Sequence, residues 1–231
     1  GAVPAAGDKC VCPPGFEPGA RKDRCLPLEA EAATCQEGMN CVTHPDRCRC
    51  QPPLICDPWS PLTDPVTGCS PRVAYILISK ELTDYERTWQ AMRVNAMRDF
   101  YRGAGYQTLT VYVDAPDDAA AALANPSTQA VAYFGHAAFP SIEGADAAGL
   151  GNSVFITLRD RYQALGLSRE EAQAAASARS RALGLDYAYI DTCFSLTDNS
   201  LRDYLVRSGG TYWGEENKAY STGWRTRSVR P

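Results

Sequence analysis

The chain has 231 residues, a net charge of −4 and 45% hydrophobic residues, enough for one full domain and a small appendage. The negative balance gives no general attraction to nucleic acid, and Arg225, Arg227 and Arg230 near the end read as a solvated tail. No apolar run is long enough to cross a bilayer, so no membrane span is expected.

Nine of the ten cysteines lie in residues 1–70: Cys10, Cys12, Cys25, Cys35, Cys41, Cys48, Cys50, Cys56 and Cys69; the tenth is Cys193. Such crowding among prolines and glycines suits a scaffold too small to build its own core, closed instead by about four disulfides with little regular structure. Zinc modules usually carry paired C-x2-C knuckles, whereas the close pairs here are C-x-C, at Cys10/Cys12 and Cys48/Cys50, so disulfides are expected and no metal or cofactor. Disulfides imply an oxidising compartment and hence a secreted or extracellular protein. Residues 1–7 have neither the basic start nor the apolar core of a signal peptide, so that inference rests on the cysteines alone. The run Cys10-Val-Cys12-Pro-Pro-Gly-Phe, with Cys25 after it, resembles the closing half of an EGF-like module, and the resemblance implies a Cys12–Cys25 bridge. The remaining connectivity is not set by spacing. Residues 57–71 are Pro-rich and aperiodic, a linker or stapled loop ending at Cys69.

Residues 71–231 read as a second domain in which strands and helices alternate. VAYILI (73–78) is an unbroken apolar run, as in a parallel strand covered on both faces. Thr83 with Glu86 makes a capping box for a helix whose Tyr85, Trp89, Met92, Ala96 and Phe100 repeat along one face, with Gly103 as its stop. QTLTVYV (107–113) is a second strand, Asp117 begins an alanine-rich helix that ends before Pro126, and AVAYF (130–134) is a third strand. The stretch with Gly144, Gly149 and Gly151 reads as a flexible loop. Ser168 and Glu171 then open another helix, followed by a strand at YAYI (187–190), a helix over LRDYLVRSGG (201–210) and a strand starting at TYW (211–213). The fold class expected is α/β, a three-layer α/β/α sandwich around a mostly parallel sheet. In such sheets reactive groups gather beyond the carboxyl ends of the strands.

Two strands end in groups fit for chemistry: the third runs into Gly135-His136 and the fourth into Asp191-Thr192-Cys193. If these strands are neighbours, imidazole and thiol emerge at one edge, where a cysteine finds the base it needs to become a thiolate. A lone histidine or free cysteine is usually structural; their shared placement is what singles them out. The texts VAYFGH and YAYIDTCFS resemble those of the caspase-like cysteine peptidases, which carry an apolar strand ending in His and a second ending just before Cys. The His-to-Cys separation is near the roughly fifty residues of caspases, and D-T-C-F-S is nearer to the metacaspase-like D-x-C-x-S. The resemblance covers about residues 73–218. It implies Cys193 as nucleophile, His136 as its proton partner, and an oxyanion site from the backbone N–H of Cys193 and one beside His136. It also puts Asp191 on the wall of the pocket for the residue before the cut, where a carboxylate favours Arg or Lys of a peptide or protein substrate. Read without the resemblance, Asp191 is as well explained as a strand-end cap.

Three departures from that family stand out. Ala137 replaces the usual Gly after His136; the chain ends soon after the fifth strand, so the sixth strand and late substrate loop are expected to be missing; and nine N-terminal cysteines leave one unpaired, with Cys193 as a partner for it. A bridge there would block the nucleophile. The other function class that fits is a non-catalytic extracellular or surface module that uses its cysteine-rich segment for attachment or self-assembly. No G-x-S-x-G elbow, phosphate loop or dinucleotide fingerprint is present. Asp114, Asp117 and Asp118 lack calcium-loop spacing and fit a helix start.

Overall fold

A computed structural model of the chain describes residues 41, 50–65, 67–137, 140–193 and 195–214 in full, and the backbone of short strands at 3–4, 10–11, 16–18, 25–27 and 227–229. The cysteine-rich part contains three two-stranded antiparallel ladders: β1 (Val3–Pro4) with β2 (Cys10–Val11), β3 (Phe16–Pro18) with β4 (Cys25–Pro27), and β5 (Ile55–Cys56) with β6 (Cys69–Ser70). Two disulfides, Cys41–Cys56 and Cys50–Cys69, tie its second half together. The EGF-like pairing of Cys12 with Cys25, and the side chains of Cys10, Cys35 and Cys48, lie outside the described residues.

This segment does not hang free of the second domain. Asp57 is fully buried; its Oδ1 accepts the N–H groups of Trp59 (2.9 Å) and Ser60 (3.1 Å), and its Oδ2 accepts the N–H (2.9 Å) and hydroxyl (2.5 Å) of Ser127. A charged acceptor satisfied by four donors is how a buried carboxylate is tolerated. Trp59 meets the ring of Tyr162 edge-on at 5.3 Å and carries the Arg161 guanidinium over its face.

The second domain is α/β. Its sheet runs β12-β11-β10-β9-β7-β8, built from β7 (Val73–Ser79), β8 (Gln107–Val113), β9 (Thr128–Phe134), β10 (Leu185–Asp191), β11 (Val206–Gly214) and β12 (Arg227–Val229). The first five strands pair in parallel and β12 runs antiparallel to β11. The sheet therefore has a sixth strand, where none was expected: a short antiparallel return needs few residues after β11. β7 is buried at every position, as its unbroken apolar run required.

Helices cover both faces. α1 (Asp84–Gly103) packs on one, contributing Val94 and Tyr101 to a cluster with Ile76, Ala132 and Phe134. The other carries α2 (Pro116–Leu123), α3 (Ala147–Ala164), α4 (Arg169–Ser180) and α5 (Ser200–Leu205) around Leu77, Val131, Leu158 and Ile190. Both expected capping boxes form, at Thr83/Glu86 and Ser168/Glu171.

Three local expectations are corrected. Gly144 does lie in a turn, but Gly149 and Gly151 belong to the start of α3, where the Asp146 side chain caps the Gly149 N–H at 2.8 Å, while Leu150, Val154 and Leu158 bury at steps of four. Gly151 of that helix faces Tyr204, where a Cβ would make ordinary contact at 3.4 Å. The helix over 201–210 stops at Leu205, and β11 begins at once with Val206, the register shifting before Thr211 pairs with Tyr187. Gly210 sits where a Cβ would come within 2.9 Å of the Asp186 carbonyl, and Gly209 has φ +79°. Finally, most of the apolar stripe of α1 does not face the sheet: Tyr85 and Met92 are 73% and 72% exposed, only Phe100 reaches the sheet's Tyr187 and Trp213, and the helix buries Gln90, Arg93, Val94 and Tyr101.

Candidate active site

The parallel register of β9 and β10 pairs Tyr133 with Ile190 and Phe134 with Asp191. His136 and Cys193 therefore each follow two residues after a matched pair, at the carboxyl ends of adjacent strands. The Gly135 N–H donates to the Asp191 carbonyl at 3.3 Å, extending the pairing one residue past the strand and linking the two exits. That bond also commits the Gly135 N–H. A side chain at Gly135 would run into the phenol of Tyr133, whose oxygen accepts the Glu143 N–H and donates to the Glu143 carboxylate, both at 3.1 Å. Glu143 has a left-handed φ of 49° at this contact.

On the cysteine side, the Ser195 hydroxyl donates to the Ile190 carbonyl at 2.9 Å and the Tyr212 hydroxyl to the Ser195 carbonyl at 3.1 Å. Gly214 allows β11 to pass close by, since a Cβ there would lie 2.5 Å from Ser195 Oγ. The turn holding Cys193 is thereby pinned to β10 and β11. Cys193 is a free thiol, partly exposed.

A cavity of about 60 Å³ has Glu86, Trp89, Arg93, His136, Asp191 and Cys193 in its wall. Each charged group in it has a partner. Asp191, the expected reader of basic side chains, is bound through both oxygens by Arg93 Nη1, at 2.9 and 2.8 Å, with side chains only 4% and 1% exposed. Burial pushes the Asp191 carboxyl above its ordinary value, with Arg93 pulling the other way. The Arg93 guanidinium also lies 4.5 Å from the Trp89 ring centre. His136 Nε2 is 3.0 Å from Glu86 Oε1. Among the described residues no hydrogen bond joins the His136 ring to the Cys193 sulfur. Arg93 and Glu86 are the two site residues that sequence reasoning did not assign. The only signal for Glu86 was its place in the capping box, and Arg93 had none.

Comparison of the chain with protein-family models, with curated proteins and with solved structures finds no match to any of them. The likeness to caspase-like peptidases rests on the residues quoted above.

Proposed function

We propose that this chain is a cysteine endopeptidase in which Cys193 attacks the scissile carbonyl and His136 takes and returns the proton. The observation that carries the reading is the β9–β10 register, from which an imidazole and a free thiol follow at one sheet edge and share one cavity. The backbone N–H groups of Cys193 and Ala137 are the donors that the tetrahedral oxyanion would use. A preference for Arg or Lys before the cut belongs to the same proposal, through Asp191. A substrate cation would there take the place that Arg93 holds. Secretion is part of the reading too, and the two disulfides are compatible with it.

One observation favours the second class, a non-catalytic module: His136 is engaged by Glu86 and not by Cys193. Hydrogen bonds of catalytic pairs are often loose before substrate binds, so this does not outweigh the shared cavity. Thiol labelling separates the two. In the peptidase, iodoacetamide alkylates Cys193 in the unreduced native protein at pH 7, His136→Ala slows it, and Asp191→Ala lowers cleavage of basic peptides more than of neutral ones. A Cys193 that reacts only after unfolding or reduction leaves the binding module as the function; equal loss on both peptides makes Asp191 a support for the loop.

A further inference from the structure

Glu86 has two tasks. Its Oε2 closes the capping box of α1, accepting the Thr83 N–H at 2.8 Å and the Thr83 hydroxyl at 2.7 Å. Its Oε1 faces His136 Nε2 at 3.0 Å. The carboxylate is thus fixed by the first turn of a helix, and a rigid element sets the ring that it meets. The Thr83 hydroxyl and N–H hold the Glu86 carboxyl below its usual range, and His136 adds to this, so the group is an anion at neutral pH. An anion that only accepts hydrogen bonds requires a proton on the nitrogen in front of it.

We propose that Glu86 is a positioning residue that keeps Nε2 of His136 protonated and leaves Nδ1 with the lone pair that takes the Cys193 proton. The inference rests on the reading of Cys193 and His136 as nucleophile and base. In the step concerned the S–H bond of Cys193 breaks and an Nδ1–H bond forms, giving thiolate and imidazolium, with the Glu86 anion beside the new positive charge. Nothing is gained or lost besides that proton.

Glutamine at position 86 separates the two tasks. It retains the capping box, because its carbonyl still accepts from Thr83, but it turns an NH2 donor toward Nε2. The ring proton must then move to Nδ1, where it blocks transfer from the thiol. In the full chain at pH 7, Glu86→Gln is expected to slow alkylation of Cys193 by iodoacetamide about tenfold or more, by analogy with the loss of partners that orient metal-binding histidines, with an unchanged thermal midpoint. Glu86→Ala should slow alkylation and lower the midpoint as well. The nitrogen chemical shifts of the neutral His136 ring give a readout that a capping role would not move: protonated Nε2 in the wild type, protonated Nδ1 in Glu86→Gln. Labelling of Glu86→Gln at or above the wild-type rate, while His136→Ala still slows it, overturns the role of Glu86 and leaves the peptidase reading standing. Ring nitrogens that do not exchange roles overturn it too. A wild-type Cys193 that never labels in the native protein removes the peptidase reading, and the positioning role falls with it.

Discussion

The Arg93–Asp191 pair lends itself to a quantitative test, because both side chains are almost wholly buried and the contact joins α1 to the end of β10. Removing one partner of such a pair leaves a charge with neither water nor counter-ion, at a cost of about 3–5 kcal/mol. Against a domain stability of about 5–15 kcal/mol, that is a large share. Arg93→Met is therefore expected to lower the thermal midpoint by roughly 10 °C, at about 2–4 °C per kcal/mol for a domain of this size. Asp191→Asn should destabilise for the reciprocal reason. The double variant should recover most of the loss, since a neutral pair of similar volume has no stranded charge. The coupling in the cycle is then at least about 2 kcal/mol. The sign of the pH dependence follows from Asp191. Its folded pKa is raised above the 3.8 of an unhindered aspartate, and loss of Arg93 raises it further. A group of that kind binds its proton more tightly in the folded state, so its contribution is present at low pH and is lost as pH rises through the folded value. Urea midpoints of Arg93→Met should accordingly approach those of the wild type as pH falls below neutral. Additive losses of under about 1 kcal/mol for each single variant, flat with pH, would refute the buried pair and the neutral wall it gives the site.

Two further outcomes test how the site is held in place. Asp57→Ala strands four donors, from Trp59, Ser60 and Ser127, and should cost about 2–4 kcal/mol in urea unfolding, accompanied by faster amide exchange over 57–63. Unchanged exchange there would mean that Trp59 packing alone docks the segment. Gly135→Ala puts a methyl against the Tyr133 phenol, so the His136 exit must shift and Cys193 alkylation should fall several-fold while β9 remains intact; a wild-type rate would show that the phenol can move away without disturbing His136.

What the sequence disclosed and what it concealed divide along a physical line. β7 and β10 were legible because burial on both faces demands continuous apolar runs, and the caps of α1 and α4 because a capping box is a local contact over three residues. The buried face of α1 was not legible. Its apolar stripe, from Tyr85 to Phe100, predicts burial at the wrong angle: the helix buries Gln90, Arg93, Val94 and Tyr101, and Arg93 meets Asp191 from far along the chain. α3 was hidden by Gly149 and Gly151, which read as loop residues but stand inside a helix, against Ala145 and Tyr204. In each case the missing term is a tertiary partner, which no local periodicity records.

The site follows the same division. The positions of His136 and Cys193 could be read because each follows the end of a strand, and strand ends are local. Their electrostatic setting could not. Asp191 read alone is a free carboxylate awaiting a cation, and His136 read alone is a base awaiting a thiol; the fold gives each a different neighbour, Arg93 and Glu86, both from α1. One helix thus supplies a partner to both strand exits, and a basic side chain reaching Asp191 would meet a carboxylate that Arg93 already holds. An incoming guanidinium at Asp191 then exchanges one ion pair for another, with no new one gained, and the Coulomb term that would make a free aspartate strongly selective largely cancels. If the proposed preference for Arg or Lys holds, it must arise from the difference between Arg93 and the substrate in that exchange, and would then be tied to the stability of the same buried pair.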